Sequence, residues 1–289
     1  MTARLARLFG ILLALMTAKS AWAQSYSFGV VPLRNAVLSA KYWNPILDYV
    51  TEKSGVRLEF ATKKSSLDYS EAEARGEFDF DFNNHIFAPS HTAVGYRVIA
   101  RPAGKPLHGQ IVVPENSAIR SAAELQDREV GFPSKNAFFG YAVPMSGLLQ
   151  AKLKVKPVYC GNQEGVMAQL RSGAIPAASV NSAVMREYAA RMNFKYRALW
   201  TSDPFLDIPV AVHPRVPVQA ANAVRDALAQ MVHDPAGLKI LTASAAVIGQ
   251  KPPFGFLPAT DSEYQNQRDV YRTVWKEEDR AVAPAAPPR

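Results

Sequence analysis

Cysteine is almost missing from this chain: Cys160 is the only one in 289 residues. No internal disulfide can form, so the fold must be held by its apolar core, and a Cys-x-x-Cys redox pair is excluded. Three further signatures are lacking: His-Glu-x-x-His, Gly-x-Ser-x-Gly and a glycine-rich phosphate loop. Their absence removes the usual sequence grounds for a metalloprotease, an α/β-hydrolase or a nucleotide-binding enzyme. No basic cluster interleaves with aromatics, so nucleic-acid binding has no support. Past the first two dozen residues no apolar run is long enough to span a membrane.

What is present begins at the N-terminus. Arg4 and Arg7 precede the apolar run from Leu8 to Met16, and Ala21-Trp22-Ala23 follows. This is the three-part pattern of a secretory signal peptide, with cleavage expected before Gln24. Removing residues 1–23 takes Arg4, Arg7 and Lys19 and lowers the formal charge from +8 to about +5. No cysteine stands at the cleavage point, which argues against a lipid anchor. The mature chain is then an exported protein with an ordinary apolar fraction, long enough for one large domain or two lobes.

Apolar patterns of period 2 and period 3.6 alternate along it. Tyr26 to Val31 reads as a strand. Trp43 to Lys53 reads as a helix closed by Gly55, and Val56 to Phe60 as a strand. Ser66 to Arg75 is helical, and Phe78-Asp79-Phe80-Asp81-Phe82 alternates as a strand whose acids suggest a solvated edge face. Further strands are expected at 109–113, 129–132, 155–159 and 177–180, and helices at 137–153, 163–172, 218–232 and 261–275. Residues 281–289 read as a disordered Ala/Pro tail. Such alternation implies α/β layers with mostly parallel sheets. Ligands of such sheets sit beyond the strands' carboxyl ends, which singles out Pro32 to Trp43, Asn83 to His85, Pro133 to Tyr141, Cys160 to Gln163, Asn181-Ser182 and Ser202 to Asp207.

The order of motifs in those segments carries a resemblance. Gly29-Val30-Val31-Pro32 leads to Tyr42-Trp43-Asn44-Pro45, then Gly76-Glu77-Phe78-Asp79, then Asp127 to Phe132. Gly140-Tyr141, Gly161 to Val166 and Thr201-Ser202-Asp203-Pro204 complete the series. The chain resembles the phosphate/phosphite/phosphonate-type substrate-binding proteins of ABC transporters over nearly its whole mature length. The resemblance implies a type II periplasmic binding protein of two α/β lobes: lobe 1 from 24–107 plus 205–281, lobe 2 from 108–204, with a tail at 282–289. A small polar or anionic ligand would be held between the lobes in the periplasm, without catalysis or cofactor, by a monomer that engages a membrane permease.

The ligand contacts the resemblance and the strand-end positions imply are Tyr42, Asn83, His85, Ser134, Lys135, Asn136, Tyr141, Cys160, Asn162, Gln163, Asn181 and Asp207. The chain departs from the family pattern where a hydroxyl-rich turn is expected and Ser134-Lys135-Asn136-Ala137-Phe138-Phe139 stands, and where a histidine is expected and Asn162-Gln163 stands. Cys160 offers an alternative reading, a soluble arsenite-type sensor serving a membrane histidine kinase, although a lone thiol is a poor trap for a soft trivalent ion. An exported enzyme using Cys160 with a histidine is the alternative of another class. His85, His91 and His108 lack helical metal-ligand spacing and read as surface or lobe-lining residues.

Overall fold

The structure, a computed structural model, describes residues 24–282. The expected signal peptide lies outside them, as does the tail beyond Val282.

The described residues form two sheets. In lobe 1, β1 (Ser25–Val30), β2 (Arg57–Ala61), β3 (Phe80–Phe82), β4 (Arg97–Pro102), β10 (Val210–Val212) and β11 (Phe256–Pro258) are ordered β11-β4-β10-β3-β1-β2. In lobe 2, β5 (Gly109–Pro114), β6 (Glu129–Phe132), β7 (Lys156–Tyr159), β8 (Ala178–Asn181) and β9 (Tyr196–Thr201) are ordered β7-β6-β8-β5-β9. Both sheets are mixed, which corrects the expectation of mostly parallel ones. β10 enters between β3 and β4 and runs antiparallel to both, and β5 does the same between β8 and β9. The reason is the crossing of the chain between lobes: the strand that arrives from the other lobe is inserted against the direction of its hosts. At the crossing Leu107 and Phe205 exchange backbone hydrogen bonds of 2.7 and 2.8 Å.

Helix α1 (Ala36–Ser54) begins two turns before the sequence pattern becomes apolar. Asn35 explains this: its Oδ1 accepts from the Leu38 amide at 2.9 Å and caps the helix. Trp43, Ile46 and Leu47 then face the sheet, with the Trp43 ring 5.1 Å from Phe28 and 4.8 Å from Phe82. Gly55 ends the helix at φ 70°, where a side chain would be strained.

Helix α2 (Ser66–Ala74) covers the other face of β3. Asp81 therefore does not sit on a solvated edge. β3 is interior, between β1 and β10, and Asp81 is wholly buried and accepts from the Tyr69 hydroxyl. Asp79 precedes the strand and pairs with Arg215 at 2.6 Å.

In lobe 2 the expected helix over 137–153 is broken in two, a π-type turn (Phe138–Ala142) followed by α3 (Val143–Gln150). Helices α4 (Gln163–Ser172) and α5 (Ser182–Met192) follow, and α6 (Val218–Gln230), α7 (Pro235–Ile248) and α8 (Gln265–Val282) complete lobe 1. One apolar cluster runs through both lobes, and a smaller one, containing Val166, Met167, Leu170 and Met185, lies within lobe 2. Helix α8 reaches both lobes. Tyr264, which precedes it, stacks on Phe87 at 5.1 Å, and Tyr271 packs against Phe138 of the π-type turn at the same separation.

Candidate functional site

Two small cavities lie where the carboxyl ends of the two sheets face each other. The first, of about 60 Å³, is lined by Arg34, Tyr42, Trp43, Asn181, Glu187, Asp207 and Gln250 among others. The second, of about 20 Å³, is lined by Asn83, Asn84, His85, Phe138, Phe139 and Gln163 among others. Leu33 and Asn181 belong to both. The lobes are drawn together around them. The Arg34 guanidinium meets the Glu187 carboxylate across the cleft. The Glu164 amide donates to Leu33 O at 3.0 Å, the Asn35 amide donates to Glu164 Oε2 at 2.7 Å, and the Ser66 amide donates to Gly161 O at 2.9 Å.

Six of the sequence-expected residues line these cavities. Tyr42 donates to Gln250 Oε1 at 3.2 Å, and burial holds its phenol far above its ordinary pKa. Asn83 is committed to Glu73 Oε2 at 2.7 Å. Gln163 Oε1 accepts from the Asn181 amide at 3.1 Å, and Asn181 Oδ1 in turn caps α5 by accepting from Ala183 at 2.9 Å. Asp207 is pushed up to about 7, chiefly by burial, with Glu187 adding to the shift and the Ile208 amide and Arg34 opposing it. At neutral pH its carboxyl is therefore partly protonated and able to donate. His85 is buried against Glu73.

The other six lie outside the two linings. Lys135 is exposed. Asn136 donates across the lobes to Ser70 Oγ at 2.8 Å. Ser134 is buried, and its Oγ has no partner. Tyr141 is in the lobe 2 core beside Phe132, ring centroids 5.2 Å apart. Asn162 caps α4, accepting from the Gly165 amide at 2.8 Å. Cys160 is half-buried, its thiol aimed at Val158 O at 3.6 Å and pushed up by burial. A neutral thiol in that position is a weak nucleophile.

Phe138 and Phe139 have a definite role. They pack on Phe205 at the crossing, with centroids 5.3 and 6.3 Å away, and wall the second cavity with carbon. Gly140 follows because nothing larger fits. A Cβ there would stand 2.3 Å from Gln163 Nε2 and 2.4 Å from Pro133 Cγ.

Arg34, Glu187 and Gln250 are cavity residues that sequence reasoning did not select. Arg34 falls inside the flagged stretch after β1. Glu187 sits mid-helix on α5, and Gln250 follows α7, a helix the periodicity did not reveal.

A correction concerns the histidines. His91 is not at the surface. It is 7% exposed, its ring centroid 6.3 Å from that of His85, and both turn a nitrogen to the fully buried Glu73, at 3.4 and 3.7 Å. Burial raises Glu73 well above its ordinary value and lowers both imidazoles. Among the described residues no group of three or more His, Cys, Asp or Glu side chains is placed to hold a metal ion.

Two mixed sheets joined by a double crossing, with small polar-lined cavities between their strand tips, define a two-lobed binding protein of type II periplasmic architecture. The chain belongs to the family described as ABC transporter, phosphonate, periplasmic substrate-binding protein, whose sequence pattern it matches over residues 28–264. That family consists of substrate-binding proteins, not enzymes.

Solved structures agree on the fold. A binding protein component of an ABC phosphonate transporter from Pseudomonas aeruginosa superposes with TM-score 0.77 at 13% identity, covering 91% of each chain. PhnD1 from Prochlorococcus marinus in complex with methylphosphonate gives 0.72 at 16%, covering 88% of this chain and 99% of that one. The periplasmic aliphatic sulphonate binding protein SsuA from Escherichia coli gives 0.57 at 15%, covering 88% and 87%. No curated protein sequence matches the chain. No helix among the described residues is long and apolar enough to cross a membrane.

Proposed function

We propose that this protein captures a small oxyanion of the phosphonate or phosphite class in the cleft, acting as an exported monomer, and presents it to the permease of an ABC transporter. The observation that carries this reading is a buried, unpartnered donor on a residue that lines the first cavity, Arg34 Nε. It can only donate, so an acceptor-rich ligand matches it. Size points the same way. A water needs about 10–15 Å³ on this measure, so the first cavity, of about 60 Å³, has room for roughly four to six such volumes. Phosphite, phosphate and methylphosphonate have four or five non-hydrogen atoms.

Charge is consistent too. Glu187 is neutralised by Arg34, and a partly protonated Asp207 can donate to an anion rather than repel it. The arsenite-sensor alternative gains nothing from the geometry, since Cys160 lines neither cavity.

A thermal-shift screen over phosphate, phosphite, methylphosphonate, alkanesulfonates, arsenite and amino acids tests the proposal. A ligand at one hundred times its Kd stabilises by about 2.7 kcal/mol, a readily measured rise in Tm. Phosphite or methylphosphonate should give that rise. A flat response to every phosphorus oxyanion, or a rise only with amino acids, would overturn the ligand class.

A further inference from the structure

The two cavities differ in charge. Arg34, Glu187 and Asp207 line the first, whereas no carboxylate, lysine or arginine is in the lining of the second. The amides around the second are engaged with protein. Asn83 and Asn84 donate to Glu73 Oε2 and Gln267 Oε1 at 2.7 and 2.5 Å, Gln163 Oε1 accepts from the backbone amide at 181, and Asn181 Oδ1 caps α5. Much of the remaining wall is carbon, from Val31, Leu33, Pro133, Phe138, Phe139 and Ile208. Phe138 and Phe139 are each 3% exposed and stand edge to face, centroids 5.0 Å apart.

Leu33 and Asn181 line both cavities, so the two adjoin. An oxyanion held at Arg34 therefore has, next to it, a compartment of a different kind. At about 20 Å³, against about 10–15 Å³ for one water-sized group, it admits one or two such groups and no more. An alkyl carbon gains by leaving water for a wall of this type. An ammonium would lose its hydration there and find no carboxylate in the lining. The turn comes as near as its backbone allows, since a Cβ on Gly140 would stand 2.3 Å from Gln163 Nε2 and 2.4 Å from Pro133 Cγ, both on lining residues.

We propose that the second cavity is a substituent pocket: the ligand is a short alkylphosphonate whose oxyanion lies in the first cavity at Arg34 and whose methyl or ethyl group enters the second against Phe138 and Phe139. This rests on the oxyanion reading of the first cavity and adds the class of substituent. It also gives a use to the stretch where a hydroxyl-rich turn is expected: the two phenylalanines make it an alkyl wall. The reverse pose sets the oxyanion against the backbone that opens the π-type turn and the substituent beside Glu187 and Asp207. That pose favours a cationic substituent, so charge on the substituent separates the two.

Calorimetry of the whole chain with phosphite and with methyl-, ethyl-, propyl- and aminomethylphosphonate tests it. Methylphosphonate should bind more tightly than phosphite by about tenfold, the low end of what one carbon is worth in an apolar pocket. Propylphosphonate should bind more weakly than ethylphosphonate by about tenfold, because its third carbon overfills the space. Aminomethylphosphonate matches ethylphosphonate in size and differs in charge, and it should be weaker by about tenfold or more. Phe139→Leu, which shortens the wall, should raise the affinity of propylphosphonate relative to methylphosphonate by about tenfold. Arg34→Met should weaken methyl- and ethylphosphonate by the same factor, since they share the head group. Aminomethylphosphonate binding more tightly than ethylphosphonate overturns the proposal in favour of the reverse pose. Phosphite equal to or tighter than every alkylphosphonate overturns it while keeping the oxyanion reading, as does a Phe139→Leu protein with an unchanged propyl-to-methyl ratio. Should that variant fail to fold, the wild-type series decides alone. No binding of any of the five rejects the oxyanion reading itself, and the pocket assignment falls with it.

Discussion

Arg34 and Glu187 show what one ion pair does when its partners sit on different lobes. Their side chains are 14% and 9% exposed, so each is costly to leave alone in the closed form. In the open form water reaches both, and neither lobe depends on the pair for its own folding. Truncating Arg34 should therefore act on closure rather than on unfolding. For Arg34→Ala we expect a loss of about 2 kcal/mol, roughly thirtyfold in Kd, by calorimetry with the anion identified in the thermal screen. The urea midpoint should move little, and the pair Arg34→Met with Glu187→Leu should regain part of the loss.

The same residues mark a limit of sequence reading. Arg34 follows a strand in a flagged segment and was within reach, but a lone arginine after Pro32-Leu33 does not announce a partner more than 150 positions away. Glu187 has the look of any exposed helical acid until α5 is docked. The surface half of the expectation for His91 fails for a related reason: its spacing from His85 is uninformative, whereas both rings turn toward the carboxylate of Glu73 on another element.

Among the elements, apolar patterning located β1, β2, α2, β5, β6 and α4 closely; α2 and α4 each set a buried face against an exposed one. It missed α5 and α7 and the strands β4, β9, β10 and β11. β10 is three residues with both faces covered, so Val210-Ala211-Val212 has no polar face to alternate with. α7 is so rich in alanine that its stripe is not set apart from its flanks.

The helix caps were legible as side chains but not as functions. Asn162 follows β7 and Asn181 ends β8, the positions where ligand contacts are expected. The structure gives each a cap, and only Asn181 also lines the cavities. This predicts a contrast. Asn162→Ala and Asn181→Ala should each cost about 1 kcal/mol in urea unfolding, the ordinary worth of such a cap. Only Asn181→Ala should also weaken the captured anion, since it removes a residue's side chain from the lining of both cavities while Gln163 keeps its contact with the backbone amide at 181. Equal effects on affinity would mean that the cavities described are not where ligand sits.

At the level of the whole molecule, the sequence order of motifs gave a two-lobed α/β protein, and the double crossing explains how one chain builds both sheets. It did not indicate how strongly the lobes are coupled. The main apolar cluster is shared between them, and an aromatic block of Phe138, Phe139, Phe205 and Tyr271 fills the junction. Helix α8 adds a second strap, since its Tyr271 reaches Phe138 and Asn136 of lobe 2. Unfolding of the wild-type chain should accordingly be one cooperative transition, with tryptophan fluorescence and circular dichroism superimposable in urea. Phe205 is the test of that coupling. It lies on the crossing itself, its backbone paired with Leu107 and its ring edge-on to Phe138. Phe205→Ala keeps the backbone bridge and removes the ring, at a cost of about 3 kcal/mol for a large aromatic, less for its partial exposure. That loss falls on the junction and not on either sheet. The variant should therefore separate the two optical transitions and show a reduced m-value for each, the sign of smaller cooperative units. A single transition merely shifted to lower urea would mean that the lobes are bound by the shared core alone, with the aromatic block contributing stability but no coupling.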